Sequence, residues 1–178
     1  NNTMSSSQAN DNKTIWTGTF TPATNTEDNS STLSLATTYT DLAGNNGPDN
    51  RTANFEIDTL APTVSRVEIT SAAGIQNSFV NAGDNVSVTA TFSEAVIVDN
   101  ASAVTITLAV GSDNRTATYA SGSSSIVLSG SDNASLVFSY IIQATGTSGE
   151  NDSDGISIGA NAIALNSGTI RDAALNNA

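Results

Sequence analysis

Three stretches in the second half of the chain alternate between apolar and polar residues. They are residues 85–92 (NVSVTATF), 103–110 (AVTITLAV) and 134–143 (ASLVFSYIIQ). A period of two is the pattern of a β-strand that buries one face and exposes the other. We therefore predict three long strands with buried faces made of Val86, Val88, Ala90 and Phe92; Val104, Ile106, Leu108 and Val110; and Leu136, Phe138, Tyr140 and Ile142.

Weaker alternation predicts shorter strands along the rest of the chain. We expect them at residues 15–20, 32–36, 53–57, 67–69, 116–119, 125–128 and 156–158, and either a helical turn or a short strand at 160–165. Clusters of Gly, Asn, Asp and Ser, such as AGDN at 82–85 and GSDN at 111–114, separate the strands as turn signals. No stretch has a helical period. Many short strands at this spacing predict an all-β fold, a β-sandwich of two packed sheets.

A weak internal repeat divides the chain. Residues 39–46 read YTDLAGNN and residues 170–177 read IRDAALNN, so both contain the pattern D-x-A-x-N-N at an offset of 131 residues. We predict that residues 1–60 are the C-terminal part of one repeat. Residues 61–178 are then a second repeat that lacks its last strand, the counterpart of RTANFEID at 51–58. On this interpretation the chain is a window from a longer tandem array.

The repeat offset places the stretch EIDTLAPTVS, residues 56–65, at the joint between the two units. Pro62 fixes its own φ angle and biases Ala61 towards an extended conformation. We therefore expect a restrained joint rather than a flexible linker.

Composition and charge exclude several classes of function. The 178 residues carry a formal net charge of −12, with five Lys or Arg and no His. Nucleic-acid binding requires clustered cations, so neither DNA nor RNA is an expected partner. No apolar run approaches the length of a membrane-spanning helix, so membrane insertion is not expected.

The same composition argues against catalysis. Without Cys and His, the chain cannot form a Ser–His or Cys–His nucleophile or a usual zinc site. A glycosidase with two carboxylates remains chemically feasible. The acidic residues, however, lie in predicted turns without an aromatic cleft beside them, so we do not expect an enzyme.

Acidic residues at predicted strand ends are candidate ligands of a metal ion. Asp58 ends a strand directly before the joint, and Glu94 follows Phe92 and Ser93 at another strand end. Calcium accepts six to eight oxygen ligands in irregular geometry, so scattered carboxylates, amides and carbonyls suffice to bind it. The alternatives are that Asp58 only caps the turn before Pro62 and that Glu94 faces solvent.

Two loops give further candidates. Asp41 and Asn45 lie in the first D-x-A-x-N-N loop, with Asp172 and Asn176 at the equivalent positions of the second. The alternative to a metal role is an Asx-turn, in which the carboxylate accepts hydrogen bonds from the backbone of its own loop.

A third candidate loop has the spacing E-x-D-x-D-G. It consists of Glu150, Asp152, Asp154 and Gly155, which matches the first half of an EF-hand loop. Asn161 occupies the place of the bidentate Glu, and no flanking helices are evident. The loop is therefore either a calcium loop of another type or a solvated acidic hairpin.

The motifs together resemble a known family. The segment WTGTFTPATNTEDNSSTLSLATTYTDLAGNNG, followed by FEIDTLAPTV, resembles the back half of the bacterial Ig-like tandem repeats found in giant RTX-type surface adhesins. In the second unit, GDNVSVTATFSEAV and GENDSDGISIGANAIALNSGTIRDAA are similar to a sister repeat. Leu175 stands where the first copy has Gly44, which departs from the pattern.

This resemblance implies an Ig-like β-sandwich that acts as a structural extender of a secreted or bacterial cell-surface adhesin. Its partners would be the neighbouring Ig-like repeats of the same chain, and bound Ca²⁺ would stiffen the domain and its joints. Two alternatives stay open. An exposed aromatic cluster in the loops would favour a module that itself binds a glycan or a host protein, and catalytic sequence beyond these termini would favour an accessory domain of a secreted hydrolase.

Overall fold

The computed structural model of the chain is nearly all β. It describes residues 3–7, 17–41, 43–74, 79–119, 125–127, 134–144 and 155–178. The only helical element within these ranges is a single 3₁₀ turn, Ala101–Ala103. The chain divides into two compact units, Asn1–Leu60 (unit 1) and Ala61–Ala178 (unit 2). That each unit belongs to a tandem array stays a prediction.

Unit 1 consists of three strand pairs, β1–β2, β3–β6 and β4–β5. Its strands are β1 (Thr3–Ser7), β2 (Thr17–Thr21), β3 (Glu27–Ser31), β4 (Ser34–Leu35), β5 (Asn50–Arg51) and β6 (Phe55–Asp58). The β3–β6 pair is antiparallel, with Asp28 opposite Ile57 and Ser31 opposite Phe55, and its register shifts between these two positions. β6, which follows the first D-x-A-x-N-N loop, therefore pairs with β3, which precedes the loop.

Apolar burial is sparse in unit 1. Ile57 is the one buried hydrophobic side chain among its described residues. Phe20 and Phe55 meet edge to face, with ring centroids 6.1 Å apart, a geometry that aromatic pairs favour. The described part of unit 1 therefore has little hydrophobic core.

Unit 2 forms a six-stranded sheet of order β14-β10-β11-β13-β8-β7 and a three-stranded sheet of order β12-β9-β15. Its strands are β7 (Val64–Ala73), β8 (Asn85–Phe92), β9 (Ile97–Asp99), β10 (Thr105–Val110), β11 (Asp113–Tyr119), β12 (Ser125–Val127), β13 (Ser135–Ile141), β14 (Ile163–Ala164) and β15 (Thr169–Arg171). All pairings within these sheets are antiparallel.

One hydrophobic core joins the two sheets of unit 2. The alternating residues of β8, β10 and β13 are buried on one face, as the sequence pattern predicted. They cluster with Val98 and Ile170 from the three-stranded sheet and with Val96, which directly precedes β9. Tyr119 packs edge to face on Phe138 with ring centroids 6.1 Å apart. This arrangement of two sheets around one core confirms the predicted β-sandwich.

Two shorter elements differ from the sequence predictions, and a third agrees with one of its two predicted alternatives. β7 spans ten residues where only 67–69 were expected, because its pairing with the regular strand β8 extends it past the alternating segment. Residues 160–165 contain the short strand β14, which is one of the two alternatives predicted there. The expected strand at 156–158 is reduced to one isolated bridge, between Ser157 and Ala109.

Three arginine side chains of unit 2 lie on strands and pair with acidic residues. Arg66 pairs with Glu68, Arg115 lies 3.1 Å from Asp113, and Arg171 of β15 bridges to Asp99 of β9. Pairs that water reaches contribute little to stability, so the hydrophobic core holds unit 2 together.

No helix in the described ranges combines the length and the apolar character needed to cross a bilayer.

Candidate metal centre

The first D-x-A-x-N-N loop is closed by its own aspartate. Asp41 Oδ1 accepts hydrogen bonds from the backbone N–H groups of Ala43 and Asn45, both at 2.9 Å. Its Oδ2 accepts the side-chain amide of Asn45, also at 2.9 Å. The backbone N–H of Asp41 donates in return to the Asn45 carbonyl. This is the Asx-turn alternative considered for the loop.

The second loop repeats the bonds between the Asp and the Asn. Asp172 Oδ1 accepts from the Asn176 backbone N–H at 2.8 Å, and its Oδ2 accepts from the Asn176 side chain at 2.7 Å. The backbone bonds also match. Leu175 donates to the Asp172 carbonyl as Gly44 donates to that of Asp41, and Ala178 donates to Ile170 as Gly47 donates to Tyr39. The sequence repeat is therefore also a repeat of local structure.

Leu175 replaces the Gly44 of the first loop, which left it open whether the second loop has the same backbone conformation. It does. The φ angle of Leu175 is +75°, close to the +86° of Gly44. A left-handed φ is unfavourable for a branched side chain, and the shared hydrogen bonds hold the backbone in this conformation.

Hydrogen bonding lowers the pKa of Asp41. The main cause is the Asn45 side chain, followed by the Asn45 backbone N–H, because both donate to the ionised carboxylate. The exposed carboxylate is therefore held in its charged form by its own loop.

Asp172 and Asp41 differ in burial. Asp172 is only 1 % exposed and is the buried charged residue of the described core region, whereas Asp41 is exposed. A carboxylate oxygen of Asp172 lies within 4.8 Å of one of Glu94, although 78 positions separate the two residues in the chain. The fold thus brings together two of the predicted ligands within unit 2.

Two carboxylates this close repel each other when both are ionised. At 4.8 Å the repulsion is about 3 kcal/mol for an effective dielectric constant of about 20. A cation between the oxygens would replace this repulsion with attraction, and calcium accepts such oxygen ligands. The pair can therefore contribute two ligands to a divalent cation.

Two hydrogen bonds join Thr63, at the start of unit 2, to Ser93, the residue before Glu94; we call this pair of bonds the clasp. Sequence reasoning did not find it. The Thr63 N–H donates to Ser93 Oγ at 2.9 Å, and the Ser93 N–H donates to the Thr63 carbonyl at 2.8 Å. Ser and Thr are too frequent in this chain for such a pair to stand out in the sequence.

Within unit 1, Asp58 ends β6 and caps the following turn. Its Oδ1 accepts the Leu60 N–H at 3.0 Å, which is the capping role considered as the alternative to a metal role. The side chain is half-buried.

Glu150, Asp152 and Asp154, the acidic residues of the third candidate loop, lie outside the described residues. Their metal role stays a prediction.

Comparison with protein families gives one match. Residues 1–57 match the family model of a bacterial Ig-like domain. Searches of curated proteins and of solved structures found no significant match. The match supports a bacterial Ig-like domain at residues 1–57, and unit 2 forms a β-sandwich of its own.

Proposed function

We propose that this chain is a structural extender module of a large bacterial surface or secreted adhesin, in which calcium stiffens the domain and its joint. The observation that carries the proposal is the repeated loop geometry, since two copies of one loop that share their Asp–Asn hydrogen bonds indicate a tandem array. The bacterial Ig-like match is consistent with such a module.

Calcium binding at the joint is supported by the acidic pair in unit 2. Glu94 and Asp172 offer oxygens within 4.8 Å of each other. The clasp between Thr63 and Ser93 anchors the start of unit 2 beside Glu94. Asp58 precedes Thr63 by five residues, so the covalent chain confines it to within roughly 17 Å of the clasp. We propose Asp58 as a third ligand from the preceding unit.

The mechanism is mechanical. Each sandwich contributes length, and an ion shared across a joint resists bending because bending would break metal–oxygen bonds. An ion that binds only the folded state also stabilises that state by mass action, by about 2.7 kcal/mol at a concentration 100 times its Kd. The module itself would have no catalytic activity, and its partners would be the neighbouring Ig-like repeats outside the cell.

The test is thermal unfolding of the whole chain in millimolar calcium and in chelator. We expect calcium to raise the Tm by ~5–10 °C, which corresponds to the mass-action stabilisation for a chain of this size. The variant Asp172→Asn should lose most of this rise. Asp49→Asn, which removes one exposed acidic charge far from the pair in sequence, should keep it.

A magnesium titration controls for screening of the acidic surface, since Mg²⁺ screens equally but demands smaller, octahedral sites. Equal Tm values in calcium and chelator, or an equal effect of magnesium, would reject the calcium site.

Bending of the joint is tested separately by small-angle scattering. We expect the maximum dimension to spread over a broader range in chelator than in calcium. Scattering curves that coincide under both conditions would contradict a stiffening role even if calcium binds.

A further inference from the structure

Unit 2 contains an open groove between two strand edges. One wall is the first part of β7, Val64–Val67, and the other is the segment Gly159–Ile163, which leads into β14. The groove has a volume of about 450 Å³. β7 and β14 are the two edge strands of the six-stranded sheet, so the groove separates the two ends of one sheet.

Within the described residues, the 157–164 segment pairs with a strand along only one of its two edges. On one side it bonds to β10, through Ala109 and Ser157 and through the Thr107 N–H to the Ala162 carbonyl at 2.9 Å. The other side borders the groove, and no described strand pairs with it there. An unpaired edge of this kind is a template for another strand.

The repeat shows what occupies the equivalent place in unit 1. The matching loops fix the offset at 131 residues, and this offset carries residues 28–32 onto the groove wall Gly159–Ile163. In unit 1 these positions belong to β3 and its end, where Asp28 lies opposite Ile57 and Ser31 opposite Phe55 of β6. β6 itself follows the first D-x-A-x-N-N loop. The groove therefore lies where unit 1 holds its last strand.

We infer that this groove is a strand-acceptor site, and that its occupant is an antiparallel β-strand with the chemistry of residues 50–58. Such a strand presents two apolar side chains, like Phe55 and Ile57, at alternate positions. It binds by main-chain hydrogen bonds to 159–163, and its alternate side chains provide specificity. The inference rests on the repeat relation and does not require calcium.

The groove walls fit this occupant. Val64 is 44 % exposed, and Val67 and Ile163 are only partly buried against the core, so apolar surface is left for incoming side chains. Arg66 is the one charged residue lining the groove, and the strand at 50–58 carries a net charge of −1 from Arg51, Glu56 and Asp58. Arg66 already pairs with Glu68, so the fit rests on the apolar walls rather than on charge.

The test appends a copy of residues 48–60 directly after Ala178, because Ala178 occupies the place of Gly47 in the loop repeat. All measurements are made in chelator, so that their outcome is independent of the calcium proposal. We expect the Tm of unit 2 to rise by ~5 °C or more, and amide NMR shifts to change at Gly159–Ile163 and at Val64–Val67. The extended chain should be monomeric by light scattering.

Two controls make the test specific. An appended segment with Ser at the positions copied from Phe55 and Ile57 should give less than half of the Tm rise. The variant Val64→Asp, at an exposed position that the core does not use, should reduce the rise given by the intact segment.

The inference is overturned if the intact and Ser-substituted segments raise the Tm equally, or if the NMR shifts at the groove do not change. It is also overturned if the chain without the addition is a dimer and the appended strand leaves that dimer intact, since the edge would then belong to a second copy. Conversion of such a dimer to a monomer by the appended strand supports the inference.

Discussion

At the scale of single residues, Leu175 shows how strongly the second D-x-A-x-N-N loop is specified. The side chain is 61 % exposed and its backbone is left-handed at φ +75°, so it contributes little packing and carries conformational strain. The loop keeps the Asp–Asn hydrogen bonds of the first copy and the backbone bond from residue 175 despite this strain.

Leu175→Gly should therefore stabilise the protein. A left-handed conformation costs a branched residue roughly 1–2 kcal/mol, and the added freedom of glycine in the unfolded chain offsets about 0.5–1 kcal/mol of the gain. We expect a net increase of about 0.5–1 kcal/mol in the free energy of unfolding, measured by urea titration. Leu175→Ala is the matched control, because it removes the side chain but keeps the Cβ and the strain. An equal gain in both variants would refute strain relief as the cause.

Asp41 gives a prediction about pH. Its pKa in the folded state lies below its ordinary value because Asn45 donates to the carboxylate. A depressed pKa means that the group stabilises the fold above its unfolded value of about 3.9. This contribution is lost as the pH falls through the lower folded value.

Carbon-detected NMR titration should thus place the Asp41 midpoint below that of an unstructured aspartate, and Asn45→Ala should shift the midpoint upward. A midpoint that Asn45→Ala leaves unchanged would show that the Asn45 side chain is not the main cause.

At the scale of elements, β13 combines a buried and an exposed face. Phe138 is fully buried, whereas the neighbouring Val137 is 43 % exposed. Phe138→Ala should lower the free energy of unfolding by about 3–5 kcal/mol, because it leaves a cavity and removes the ring contact with Tyr119. Val137→Ala should cost less than about 1 kcal/mol. Similar losses in calorimetry would mean that the strand does not bury one face.

The strands that the sequence predicted are those that bury one face and expose the other. Strands β8, β10 and β13 alternate over six to eight residues, so their inward faces are legible without a structure. Strand β3 reads EDNSS and has no apolar alternation at all. It exists because β6 pairs with it, and pairing partners leave no mark on the local pattern.

The candidate site was predictable in the same uneven way. Repetition of D-x-A-x-N-N identified the two loops, and turn chemistry correctly offered an Asx-turn as their alternative role. Nothing in the sequence indicated that Glu94 approaches Asp172, because their distance depends on how the two sheets of unit 2 pack. Nor did the local sequence distinguish buried Asp172 from exposed Asp41.

At the scale of the whole molecule, the two units differ in the amount of core that they bury. Among the described residues, unit 1 buries Ile57 and unit 2 buries a continuous cluster drawn from both of its sheets. Local opening requires least free energy where few apolar contacts are lost.

Hydrogen exchange should therefore be faster in unit 1. We expect the amides of β3 and β6 to exchange at least tenfold faster than those of β8 and β13, measured by NMR or mass spectrometry. Exchange at equal rates in both units would show instead that they open together.

The arginine side chains on the strands of unit 2 have a consequence for proteolysis. Unit 2 contains no Lys, and its Arg residues are Arg66, Arg115 and Arg171, which lie on β7, β11 and β15. Trypsin cleaves only after Lys or Arg, and it requires the cleaved segment to leave the folded structure. Every tryptic site of unit 2 is therefore closed while its strands stay paired, so the rate of tryptic cleavage reports how often those strands separate.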